Sequence, residues 1–168
     1  MPIGNASAIP EECRSSLICI DSYTNQQLLG RFYNASYVEE KPFKNLMQLI
    51  FHMETLFETL NCPQAATERR SFQEKTNGLL PRPRYDPRQQ PAKPKNLRGE
   101  IATFQVWVLF RQHASWQGKV TWLEKNRECK FRSALELFFL MDSTIMLGEK
   151  SDMQEPFLTE EEKKRLVI

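Results

Sequence analysis

Two blocks of the sequence fall into register when the chain is shifted by 88 residues against itself. The shift aligns Gly30 with Gly118 and Phe43 with Phe131, and twelve residues separate the glycine from the phenylalanine in both blocks. Matches at glycine and apolar positions are typical of a duplicated supersecondary unit, so the pattern predicts two copies of one small fold. The other aligned pairs are Ile18 with Val106, Ile20 with Val108, Leu49 with Leu137, Phe51 with Phe139, and Met53 with Met141.

The second block predicts three strands followed by a helix. Residues 104–111 are rich in the β-branched and aromatic side chains that favour strands, and residues 116–122 return as a second strand after a turn. A short third strand is expected over residues 128–131. The apolar period then becomes that of a helix over residues 133–147.

Polar and small residues mark both ends of this predicted helix. Ser133 and Glu136 have the spacing of a capping box, in which each side chain satisfies a free backbone N–H. Gly148 is the predicted end of the helix. The apolar side chains form a stripe that we interpret as a core-packing face. Its members are Leu135, Phe138, Phe139, Met141, Ile145 and Met146.

The first block repeats this order more loosely. Strands are predicted over residues 17–23 and 28–33, and a helix over residues 44–60. Asn45 and Gln48 align with the capping pair of the second block and form a weaker version of it. The helix again carries a stripe that predicts a core face. Its members are Leu46, Leu49, Ile50, Met53, Leu56, Phe57 and Leu60.

A proline-rich, basic stretch separates the two blocks. Six of the ten prolines lie between Pro63 and Pro94. Because proline cannot donate a backbone hydrogen bond and keeps its predecessor extended, we expect a flexible linker over residues 63–100. The chain has a net charge of only +2, but this stretch is locally cationic. Its basic residues include Arg82, Arg84, Arg88, Lys93 and Lys95.

These patterns together predict an α+β protein with two pseudo-repeated antiparallel units. We expect the units to pack around their helices, with the basic linker joining them. The Thr159 and Glu162 pair favours a short helix near the end of the chain. The predicted divisions are a flexible amino terminus (1–15), the first unit (16–62), the linker (63–100), the second unit (101–148) and a polar tail (149–168).

The sequence lacks the common motifs of catalysis and metal binding. It contains no C-x-x-C pair, no H-E-x-x-H, no phosphate-binding glycine loop and no G-x-S-x-G. We interpret His52 as a packed or half-exposed helix residue and His113 as a solvated turn residue. The sequence therefore predicts a protein that is not an enzyme and that uses no metal or cofactor.

The cellular location is predicted from apolar runs and cysteines. No apolar run approaches the roughly 20 residues that span a bilayer, and residues 1–10 do not resemble a signal peptide. We expect a cytoplasmic protein, with no membrane contact, whose four cysteines are reduced thiols.

Alternation along the strands assigns the side chains of the second block to two faces. The inward face is expected to hold Phe104, Val106, Val108, Phe110, Val120, Trp122 and Phe131. The outward positions identified on the other side are Gln105, Trp107, Leu109, Arg111, Lys119, Thr121, Lys130 and Arg132, and none of these residues is acidic. They predict a cationic face around a tryptophan. Its candidate binding residues are Trp107, Arg111, Lys119, Thr121, Lys130 and Arg132.

Three interpretations of this outward face remain open. Its cations suit phosphates while Trp107 stacks on a base, which predicts nucleic-acid binding. Trp107 and Leu109 also suit contact with another protein or with the other unit. The third interpretation is a solvated face, which antiparallel sheets commonly have.

Three segments of the second block carry a family resemblance. They are Ser115-Trp-Gln-Gly-x-Val-Thr-Trp122, Phe131-Arg-Ser-x-Leu-Glu-Leu137 and Met141-Asp-Ser143. They resemble a family of short, uncharacterised bacterial proteins, which implies a bacterial or mobile-element origin and no particular activity. The order of three strands and a helix also resembles the arm domains of tyrosine integrases, which lay a sheet on DNA. No site residue transfers from either resemblance.

The expected function is binding or regulation through protein–protein contacts. An accessory or inhibitor factor of a mobile element or phage fits this expectation, for example one that antagonises a nucleic-acid-targeting defence system. The alternative is a DNA- or RNA-binding module that uses the outward face of the second unit. A pocket for a small molecule between the units is a third hypothesis. The sequence leaves the oligomeric state open.

Overall fold

One antiparallel sheet of six strands and two α-helices make up the part of the chain that the structure describes, and the fold class is α+β. The structure is a computed structural model, and it describes residues 9–72, 85, 86, 88 and 97–151. The elements are β1 (Ser15–Thr24), β2 (Gln27–Asn34), β3 (Lys41–Phe43), α1 (Leu46–Leu60), β4 (Ala102–Phe110), β5 (Gln117–Trp122), β6 (Arg127–Phe131) and α2 (Ala134–Ser151), after a short 3₁₀ helix at Glu11–Cys13.

The sheet has the strand order β3-β2-β1-β4-β5-β6, so the first strand of each unit lies at the centre. β1 and β4 pair in antiparallel fashion, with Leu17 opposite Gln105. We expected the units to meet at their helices, but a pair of strands joins them. This pairing provides hydrogen-bond partners for the backbone groups along the edges of β1 and β4. A contact between the helices alone would have left these edges exposed.

The strand registers of the two units have the same offsets. Ile20 pairs with Gly30 and Gly30 with Phe43, and the aligned residues Val108, Gly118 and Phe131 pair in the same way. The first strand of each unit also has a β-bulge at the same position, after Ile20 in β1 and after Val108 in β4. The strand Lys41–Phe43, which the sequence did not predict, is the first unit's counterpart of β6.

Each helix begins with a pair of side-chain caps. The Asn45 side chain accepts a hydrogen bond from the Gln48 N–H (2.9 Å), and the Gln48 side chain accepts one from the Lys44 N–H (2.7 Å). The Gln48 side chain thus bonds the N–H of the residue before the N-cap, whereas in a standard capping box it bonds the N–H of the N-cap residue itself. Ser133, Glu136 and Arg132 make the same contacts at the start of α2.

The core lies between the two helices and one face of the sheet. The predicted inward residues Phe104, Val106, Val108, Val120 and Phe131 are buried there, which confirms most of the predicted face. The core also contains both members of five of the aligned pairs named above. They are Ile18 with Val106, Ile20 with Val108, Phe43 with Phe131, Leu49 with Leu137, and Met53 with Met141.

Some of the predicted core residues lie at the surface instead. Phe110 is exposed because the bulge between Val108 and Phe110 interrupts the alternation of β4. The predicted helix stripes were too wide, and the helices bury only part of them. The exposed members are Leu46 on α1, and Leu135, Phe139 and Met146 on α2.

Some of the predicted divisions of the chain include residues that the structure describes. Within residues 1–15, the described part forms a 3₁₀ helix and the start of β1, and Cys13 is buried. α2 continues past Gly148 to Ser151, so the predicted helix end was wrong. Arg88 forms an ion pair with Asp86 (3.1 Å). The linker residues Arg82, Arg84, Lys93 and Lys95, and the predicted helix in the tail, lie outside the described residues.

Candidate functional site

The sheet surface opposite the helices carries four of the six predicted binding residues. Trp107 pairs with Lys119, and Lys119 with Lys130, so these residues form one row across three strands. Thr121 lies in the neighbouring row, between Gln105 and Glu128. We call the surface formed by these two rows the outer face. A shallow depression of about 320 Å³ lies over both rows apart from Lys130.

Acidic residues join the cations on the outer face, which the sequence did not predict. The Glu128 carboxylate lies 3.2 Å from Lys119 Nζ, and the same Nζ lies 5.2 Å from the centre of the Trp107 ring. Glu11 and Glu12, contributed by the 3₁₀ helix, line the depression as well. The expectation of a purely cationic face was therefore wrong, because it left out both Glu128 in β6 and the amino-terminal segment.

On the first unit the corresponding surface is covered by the chain around Arg98. Arg31 donates hydrogen bonds to Asp21 (2.8 Å) and to the Arg98 carbonyl (2.8 Å). The hydrogen bond from Arg31 lowers the pKa of Asp21. Cys19, which aligns with Trp107, is fully buried, and burial raises the pKa of its thiol to about 11. Among the described residues, the chain around Arg98 covers this surface on the first unit and not on the second.

Arg111 lies on the helix side of the sheet, so its predicted place on the outer face was wrong. Its guanidinium donates to Glu54 of α1 at 2.5 Å and lies 5.4 Å from the centre of the Phe57 ring. The side chains of Arg111 and Glu54 are only 10% and 18% exposed. The bulge that exposes Phe110 also turns Arg111 towards the helices, because one extra residue exchanges the two faces of a strand.

Glu54 is also the hydrogen-bond partner of a buried tryptophan. The Trp116 indole N–H donates to the second Glu54 oxygen at 2.5 Å, and Phe57 and Phe138 pack edge-on against the indole. A related contact occurs between the other strand end and the other helix, where the Tyr23 hydroxyl donates to Asp142 at 2.7 Å. Tyr23 aligns with Arg111, and Asp142 with Glu54, under the shift of 88 residues. Glu54 and Asp142 thus each bind a donor from the opposite unit.

Arg132 lies at the start of α2, after β6 has ended. Its guanidinium contacts the Glu136 carboxylate at 3.1 Å, and this contact lowers the pKa of Glu136. A second shallow depression lies beside this ion pair. The depression is lined by Arg132, Ser133, Leu135, Glu136 and Phe139.

The helices expose large apolar side chains at aligned positions, and sequence reasoning assigned these residues to the core or passed over them. Met47 and Phe51 of α1 are 58% and 55% exposed, and Leu135 and Phe139 of α2 are 62% and 64% exposed. We call these two pairs the helix patches. A signal for them was present, because Phe51 lies two residues from the buried Leu49, which places it on nearly the opposite side of a helix.

The described residues offer neither a membrane span nor a metal site. Within these ranges no helix combines the length and the apolar character that crossing a bilayer requires. No three His, Cys, Asp or Glu side chains of the described part come together in a way that could hold a metal ion. Comparisons of the chain with protein-family models, curated proteins and solved structures gave no match.

Proposed function

We propose that this chain is a non-enzymatic, protein-binding regulatory module whose contact surface is the pair of helix patches. The observation that carries the proposal is that large apolar side chains are more than half exposed at the same positions of both helices. Scattered apolar residues are common on protein surfaces, but a repeated pair on one side of each helix is typical of a contact surface. Removing this apolar area from water would supply the free energy of association.

The charge of the helices indicates the chemistry of the partner. All charged residues within α1 and within residues 134–147 of α2 are acidic. Asp142, one turn beyond Phe139, accepts a hydrogen bond from the Tyr23 hydroxyl, and no Lys or Arg of the described residues forms an ion pair with it. A complementary partner is an amphipathic helix with Lys or Arg beside its apolar side chains.

The internal repeat fits this proposal. Equal strand registers, bulges and helix caps in the two units support an origin by tandem duplication. Duplication would have produced both patches at once and would give the partner two equivalent places to bind. A module of this kind suits an accessory or inhibitor factor of a mobile element or phage.

A site-specific crosslinking experiment tests the proposal. A photo-crosslinking amino acid replaces Phe139 in the full chain, which is expressed in bacterial cells. The protein that it captures is purified and titrated against variants of the chain by calorimetry. We expect Phe139→Ser to weaken its binding by at least about tenfold, as loss of a central apolar anchor does. The crosslinked segment of the partner should carry Lys or Arg beside apolar residues.

The matched control is Val38→Ser, which removes an apolar side chain that is 83% exposed and lies outside both helices. This variant should bind as tightly as the native chain. Equal effects of Phe139→Ser and Val38→Ser, or the same captured proteins when the crosslinker stands at position 38, would contradict the proposal.

Nucleic-acid binding by the outer face is the second candidate function. Its support is the row of Trp107, Lys119 and Lys130, in which an aromatic ring lies beside two cations. It ranks second because Arg111, Lys119 and Arg132 each contact a carboxylate, which reduces the charge available to phosphates.

A salt titration tests this candidate. If the outer face binds nucleic acid, the affinity for mixed-sequence single-stranded or duplex DNA should fall steeply with salt, and Lys130→Ala should lower the logarithmic salt slope by about one. The control is Arg127→Ala, because Arg127 lies on the same strand but on its other face. Undetectable or salt-independent binding, or equal losses in both variants, would exclude this function.

A further inference from the structure

The two edges of the sheet differ although the two units have the same registers. β3 forms one edge and has three residues, the middle one Pro42, which has no N–H to offer to another strand. β6 forms the other edge with five residues and no proline, and Lys130 stands where β3 has Pro42. The β3 edge is therefore blocked against further pairing, and the β6 edge can accept another strand.

The backbone groups of two residues in β6 point away from the sheet. The Arg132 N–H is bonded to the Glu136 side chain at 2.6 Å and so is turned away from β5. Alternate residues of a strand direct their N–H groups to the same side. The N–H groups of Lys130 and Glu128 therefore point outward, away from β5.

The side chains of the same two residues carry opposite charges. Within the chain, Lys130 stands directly opposite Lys119, an unfavourable like-charge pair, while Glu128 contacts Lys119. In the part of the chain that the structure describes, Lys130 has no ion pair. A strand added at this edge could provide Lys130 with a negative charge.

We propose that two copies of this chain dimerise through β6, in the antiparallel register that places Cys129 opposite Cys129 of the second copy. In this register Glu128 of each copy lies directly opposite Lys130 of the other, on the outer face, and both residues present their outward backbone groups to each other. Moving the two-fold axis to Lys130 would place lysine opposite lysine, and moving it to Glu128 would place glutamate opposite glutamate. The charges therefore select the register centred on Cys129. The resulting sheet joins the six strands of both copies.

Charge-reversal variants of the full chain test the dimer by sedimentation equilibrium. Glu128→Lys and Lys130→Glu should each weaken the dimer by at least about tenfold, because each places like charges opposite each other. The double variant should restore it, because the two charges are then exchanged. Lys130→Pro should yield a monomer, since it removes only an outward N–H and gives β6 the residue that blocks β3.

Oxidation with diamide tests the register. Two Cys129 thiols would transfer two electrons and two protons to diamide, which is reduced to its hydrazine, and would form one intermolecular disulfide, because Cys129 is exposed and lies on the proposed axis. Cys129→Ser should abolish this crosslink, and Cys62→Ser should leave it unchanged. The proposal is overturned if the native chain is a monomer at every concentration, if the double variant fails to restore the dimer, or if the crosslink depends on Cys62. Circular dichroism spectra like that of the native chain will show that the variants fold.

Discussion

Glu54→Ala is expected to lower the free energy of unfolding by about 3 kcal/mol, because it removes the partner of a mostly buried charge. The substitution leaves the Arg111 guanidinium, which is 10% exposed, without its carboxylate. It also leaves the buried Trp116 N–H without its acceptor. Urea unfolding, followed by tryptophan fluorescence and circular dichroism, measures the change.

Two further variants show whether the loss comes from the buried pair. Glu58→Ala removes a carboxylate of the same helix that is 36% exposed and 3.9 Å from Arg69, and it should cost less than about 1 kcal/mol. Glu54→Ala combined with Arg111→Met should be more stable than Glu54→Ala alone, because no unpaired charge then remains. If Glu54→Ala costs no more than Glu58→Ala, Arg111 is solvated well enough to do without its partner.

Gly118→Ala is expected to destabilise the protein by about 3 kcal/mol or more, in the range of substitutions that strain a special backbone site. A Cβ at this position would lie 2.0 Å from the Trp107 carbonyl oxygen and 3.0 Å from Val108 Cα. Because these atoms belong to the backbone, no change of rotamer relieves the clash, and β4 and β5 must separate at the bulge. Scanning calorimetry should show a fall in melting temperature on the order of 10 °C.

The aligned glycine of the first unit gives an independent repetition of this experiment. A Cβ on Gly30 would lie 2.0 Å from the Cys19 carbonyl oxygen and 2.8 Å from the Phe43 ring, so Gly30→Ala should cause a similar loss. Thr121→Ala, on the outer face of β5, is the control and should lower stability by no more than about 1 kcal/mol. A melting temperature of Gly118→Ala equal to that of this control would show that the bulge can relax.

The types and order of most elements could be predicted because they depend on local patterns. The β-branched and aromatic residues of 104–111 indicated β4, and the even spacing of Trp116, Val120 and Trp122 indicated β5. The change to a helical period after Phe131 indicated α2. The caps at Asn45 and Ser133 were also predicted, because capping depends on residues three positions apart. β3 was missed because three residues, one of them a proline, are too few to show alternation.

The composition of the candidate surfaces could be predicted only in part, because it depends on bulges and on distant segments. The bulge after Val108 has no signature in the sequence of β4, yet it decides that Arg111 faces the helices. Glu54 resembles any polar helix residue until Arg111 and Trp116 are brought to it from the other unit. Glu11 reaches the Trp107 row from the far end of the chain, which no local pattern indicates.

The central place of β1 in the sheet bears on how the chain folds as it leaves the ribosome. β1 and β2 are synthesised before β4, the other neighbour of β1, which begins only at Ala102. At ordinary rates of translation the β1 edge is therefore without its partner for a time on the order of seconds. An unpaired apolar edge is a template for wrong association, so the newborn protein is most exposed to aggregation before its second half has emerged.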